Sequence, residues 1–67
     1  MKLQAIDSVE NLHAGDLINV YTFEQDIHDV IFCDIMPHEG HVCILLTKNS
    51  EISYVRLKDI KAIDKIG

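Results

Sequence analysis

The chain has no tryptophan, one proline and two cysteines among its 67 residues. Two cysteines, Cys33 and Cys43, are too few for a disulfide framework. A domain this small usually needs disulfides, a metal or partner subunits to supplement its core. No apolar run comes near the roughly 18 residues of a membrane-spanning helix. Met1-Lys2-Leu3-Gln4 carries no signal-peptide core, so the expectation is a cytoplasmic protein with free thiols and no membrane partner. No residue spacing matches a catalytic motif. The chain is therefore expected not to be an enzyme, to take no small-molecule substrate and to need no cofactor.

Lysine and arginine are also missing from the whole stretch between Leu3 and Thr47. That stretch holds eight acidic residues, from Asp7 to Glu39. From Lys48 onward the sign reverses, with Lys48, Arg56, Lys58, Lys61 and Lys65 against Glu51, Asp59 and Asp64. Six basic against 11 acidic residues give a net charge of −5, which argues against a simple electrostatic clamp on nucleic acid or an anionic membrane. The uneven distribution reads either as ordinary solvated charge or as a two-signed molecule whose basic end meets phosphate or a neighbouring copy. With 48% apolar and 25% charged residues, this is a folding chain.

The chain reads as one domain, residues 1–67, with no repeat or linker. Short β-rich runs separated by turn signals give an all-β pattern. Residues 3–7 are ambiguous, and Ser8 can cap one short N-terminal helical turn, Val9 to Leu12. Ala14-Gly15-Asp16 is a turn. Leu17 to Phe23 follows as a strand with Ile18, Val20 and Thr22 on one face, and Glu24 to Asp26 turns the chain.

Asp29 to Met36 and His41 to Thr47 then flank Pro37-His38-Glu39-Gly40 as a hairpin. A four-residue loop sets Ile35 opposite Val42, Cys33 opposite Ile44 and Ile31 opposite Leu46. The other face, with Val30, Phe32 and Leu45, is also apolar. A ribbon apolar on both faces needs two covers, and a second copy of the chain is the expected second one, with Val30, Phe32 and Leu45 as the oligomer interface. Beyond Lys48, a two-residue Asn49-Ser50 turn puts Val55 and Leu57 inward and keeps Arg56 out of the core. A three-residue turn would put Ile52 and Tyr54 inward instead. Lys58-Asp59-Ile60 reads as a tight helical turn and Lys61 to Ile66 as a last strand. The spacing of Leu57, Ile60, Ile63 and Ile66 leaves a C-terminal helix as the rival reading.

Five short strands in this order describe a strongly bent small barrel. The opening turn and the strand Tyr54-Val55-Arg56-Leu57 followed by a single turn resemble Src-homology-type barrels. Two other places resemble the Sm-like proteins, which are ring-forming RNA binders. Asp34 after Val30-Ile31-Phe32-Cys33 is similar to the acidic residue that ends the second half of the first Sm motif. Val55-Arg56-Leu57-Lys58-Asp59-Ile60 is similar to the second motif. The chain departs from that pattern at Leu57 and Asp29, where the family has glycine, and at His38, where it has asparagine. The Sm-like resemblance implies a homo-oligomeric ring with weak binding of single-stranded RNA or DNA. His38 would stack on a base, and Arg56 and Lys58 would reach phosphate.

The alternative is a protein-interaction adaptor of the small-barrel type with no nucleic-acid binding. His38, His41, Cys43 and Cys33 also raise a metal site, but H-x-x-H-x-C matches no common structural zinc spacing and the expected register turns Cys33 to the other face. No metal is expected within one chain. Cys43 beside His41 or His28 is a nucleophile pair in composition only, because Val42 and Ile44 flank it as a buried run.

Overall fold

The computed structural model describes residues 3–4 and 11–66. Five antiparallel strands form one sheet: β2 (Leu17–Thr22), β3 (Asp26–His38), β4 (His41–Lys48), β5 (Glu51–Arg56) and β6 (Ile60–Lys65). The two-residue β1 (Leu3–Gln4) pairs outside β6, giving the order β1-β6-β2-β3-β4-β5. A 3-10 turn, Leu57–Asp59, links β5 to β6. It stands one residue before the expected tight turn, and β6 is a strand, not the rival helix. No helix among the described residues is long and apolar enough to cross a membrane. The Ser8-capped turn falls mainly outside the described residues.

The sheet is neither closed nor strongly curled, which corrects the expected bent barrel. After Arg56 the 3-10 turn carries the chain to β6, which pairs with β2 at the far side of the sheet. Among the described residues, β5 is left as an outer strand with β4 as its only ladder partner.

The core lies on one face of this sheet. Ile18 and Val20 of β2, Val30 and Phe32 of β3, Ile44 and Leu46 of β4, and Ile60 and Ile63 of β6 form one buried cluster, flanked by Leu12, Ile27, Val55 and Leu57. In β2 the strict alternation Ile18, Val20, Thr22 points inward, as its sequence pattern requires. Thr22 is the one buried polar residue among those described. Its hydroxyl donates to the Gln25 carbonyl at 2.8 Å and accepts from the Gln25 amide at 3.0 Å, which closes the Phe23–Gln25 bend. Gly15, at φ +98°, supplies the left-handed residue of the opening turn. Its amide donates to the Phe32 carbonyl at 2.8 Å and fixes that turn onto β3.

The β3–β4 hairpin differs from the expected register. Its loop is two residues, Glu39 and Gly40, at φ +51° and +82°. Two consecutive left-handed residues make the tight turn whose twist matches the flanking strands, so Pro37 and His38 remain in β3. Ile35 then faces Ile44, not Val42, and His38 faces His41. A bulge at Cys33, between the pairs Asp34–Leu45 and Phe32–Leu46, shifts the register again. Beyond it Phe32 and Val30 turn inward, where Cys33 and Ile31 were expected.

That bulge corrects the expected interface. Val30 and Phe32 are 3% and 4% exposed, covered by their own chain, while Leu45 lies half-buried on the opposite face of β4. The three do not form one surface. The two-residue turn at Asn49 and Ser50 is as expected: Lys48 faces Glu51, Val55 faces Ile44, and Arg56 stays outside the core.

Candidate functional site

Alternation along β3, β4 and β5 builds a second face on the side of the sheet away from the core. The facing pairs His38–His41, Met36–Cys43, Cys43–Arg56 and Leu45–Tyr54 all belong to it. At the turn end of the hairpin, His38, Glu39, His41, Cys43, Tyr54 and Arg56 surround an open recess of about 450 Å³.

The His38 ring lies flat on the Tyr54 ring, with centroids 3.8 Å apart and an interplanar angle of 2°. The extra reach of β3, which the two-residue turn permits, carries His38 to that position. Parallel aromatic pairs of this kind add about 0.5–1.5 kcal/mol beyond their area, so the stack braces the hairpin tip against β5. Tyr54 itself is 42% exposed.

Arg56 stands two residues along the same strand face. Its Nε donates to Asp59 Oδ2 at 2.8 Å across the 3-10 turn. Both partners are substantially exposed, and an ion pair of this kind is worth only about 0–1 kcal/mol, so an incoming anion can exchange with it. His38 Nε2 lies 3.8 Å from Glu39 Oε2. The buried Cys43 thiol contacts the carbonyl oxygens of His41 at 3.5 Å and His38 at 4.0 Å. It therefore acts as packed floor and is not presented as a nucleophile to solvent.

The sequence-derived residues are thus partly united. His38 and Arg56 line the same recess, whereas Lys58 is exposed on the 3-10 turn and does not line it. Tyr54 is the recess residue that the sequence reading did not name as a candidate. Its signal was present: placing Val55 inward puts Tyr54 outward beside Arg56. Tyr54 and Arg56 also border a smaller cleft of about 200 Å³ with Phe23, Glu24, Ile27 and Asp59.

The thiols are placed differently from expectation. Cys33 Sγ lies 3.8 Å from Thr47 Oγ1, and alternation along β4 puts Thr47 on the same face as Cys43. Cys33 therefore shares that face and does not point away from it. Among the described residues, no group of three or more His, Cys, Asp or Glu side chains is arranged to hold a metal ion. His28 packs edge-on against Tyr21 at 5.8 Å. Desolvation, then the hydrogen bond to Asp64, pushes the Tyr21 hydroxyl above its ordinary value.

No protein-family model matches the chain, and no curated protein and no solved structure matches it.

Proposed function

We propose that this protein binds single-stranded RNA or DNA weakly, as an Sm-like homo-oligomer, with the recess between the β3–β4 hairpin and β5 as the contact on each copy. The observation that carries the reading is the His38–Tyr54 stack beside Arg56. Single-strand binders combine aromatic faces, on which any base can stack, with basic groups that take the backbone. Tyr54 supplies the face, Arg56 reaches phosphate by exchanging Asp59 for it, and Lys58, exposed on the 3-10 turn, adds positive charge outside the recess. β5, the 3-10 turn and β6 follow the order of an apolar strand with arginine, a tight turn and a second apolar strand, which is the Sm-like resemblance noted above.

Assembly belongs to the same reading. Among the described residues, β5 is an outer strand with one edge unpaired, and Ile52 and Tyr54 on it are exposed. Edges of this kind pair with other chains unless protected. With Val30 and Phe32 inside the core, the surfaces that would join copies are this edge and the outward Leu45. Several weak recesses held together raise affinity through avidity.

The test is a fluorescence titration of a rhodamine-labelled single-stranded oligonucleotide at low salt. Saturable binding that weakens with salt is expected. Tyr54→Ala and Arg56→Glu should each weaken it by about tenfold, given the ~1–3 kcal/mol of a base stack or charged contact. Absence of binding at low salt, or binding indifferent to both substitutions, would overturn the reading. The alternative of a protein-interaction adaptor then stands, supported by the net charge of −5 and by Phe23, 71% exposed at the rim of the smaller cleft.

A further inference from the structure

The recess has an unusual charge inventory for a nucleic-acid contact. From the hairpin it is faced by His38, Glu39, His41 and Cys43, and from β5 by Tyr54 and Arg56. Asp59 on the 3-10 turn holds Arg56. With both imidazoles neutral, one cation faces two carboxylates. With both protonated, three cations face the same two carboxylates. Histidine is the side chain that ordinarily changes charge between about pH 5 and 8. Two of the chain's four histidines stand opposite one another across the last pair of the hairpin, His38–His41.

We propose that this recess is a proton-gated phosphate site: protonation of His38 and His41 reverses its sign and strengthens its hold on the nucleic-acid backbone. The inference rests on the nucleic-acid reading above and adds its regulation. Protonation does not require the stack to open, because an imidazolium on the face of Tyr54 is itself attracted by the ring. The Glu39 carboxylate lies 3.8 Å from His38 Nε2, at the mouth of the same recess. A phosphate entering at neutral pH meets Glu39 and must displace Asp59 from Arg56. At lower pH it meets imidazolium donors as well.

The experiment is the same titration with rhodamine-labelled oligothymidylate at about pH 6 and about pH 8, chosen to bracket histidine titration. The chain is compared with a His38→Gln/His41→Gln variant and a His13→Gln/His28→Gln variant. The second pair lies outside the recess and removes the same number of imidazoles. It separates local gating from the general loss of negative charge on acidification. The expected result is an affinity about tenfold higher at the lower pH. That ratio should persist in the His13/His28 variant and fall to near one in the His38/His41 variant.

Circular dichroism at both pH values checks that each variant is folded. If the His38/His41 variant is not, His41→Gln alone serves, with the ratio expected to fall to about threefold. Equal binding at both pH values overturns the gating and leaves nucleic-acid binding intact. A ratio that survives removal of the recess histidines also overturns it. No binding at either pH overturns the underlying reading and the gating with it.

Discussion

Asp16 closes its own turn and ties it to β6 with one carboxylate. Its Oδ2 accepts the His13 backbone amide at 2.8 Å and lies 3.4 Å from Lys65 Nζ at the end of β6. The His13 hydrogen bond holds the Asp16 carboxyl below its ordinary value of 3.8; desolvation opposes it, and the Lys65 charge then adds to the lowering. A lowered pKa in the folded chain means that its contribution is present above the ordinary value and is lost as pH falls through 3.8 and below. Asp16→Asn should therefore lower stability at neutral pH and flatten the acid limb of a stability profile measured by urea unfolding. A steeper loss in acid than in the unsubstituted chain would contradict this. At the same scale, Arg56 and His38 were legible as site residues because a basic residue on a strand end and a histidine in a turn are local features. The contact between His38 and Tyr54 was not, because it depends on two extra residues of β3 that only the turn geometry supplies.

Turns and bulges decide the elements. β2, β6 and the β4–β5 register were legible in the sequence, since alternation in Ile18-Asn19-Val20-Tyr21-Thr22 and the need to keep Arg56 outside each point one way. The β3–β4 register was not. Both faces of β3 are apolar enough that periodicity cannot choose between Ile31 and Phe32 as the inward residue. The bulge at Cys33 makes the choice, and no proline or glycine marks it. Asp29, at φ +57° inside β3, is another unmarked kink, with its amide held by Asn19 Oδ1 at 3.0 Å. The Asn49-Ser50 turn carries its own prediction. Both residues are left-handed, at φ +52° and +68°. Asparagine tolerates that conformation and serine does so poorly. Ser50→Gly should stabilise the chain by up to about 1 kcal/mol, read as a higher urea midpoint at unchanged slope. A lower midpoint would contradict the turn assignment.

For the molecule as a whole, one face of a small sheet holds the core and the other carries the candidate recess. Among the described residues, eight aliphatic and aromatic side chains form the buried core. What remains for partners is the open edge of β5, the exposed Ile52 and the outward face that carries Leu45 and Tyr54. The acidic first half and the basic stretch after Lys48 meet in the recess, where Glu39 and His38 stand across from Arg56. Under the proposed reading, a weak site of mixed charge would gain from several copies acting together. The most direct test is the mass of the solution particle by light scattering, with and without a single-stranded oligonucleotide at low salt. The account predicts a discrete multiple of the chain mass that rises by the mass of bound oligonucleotide when it is added. A particle with the mass of one chain, unchanged by the oligonucleotide, would contradict it.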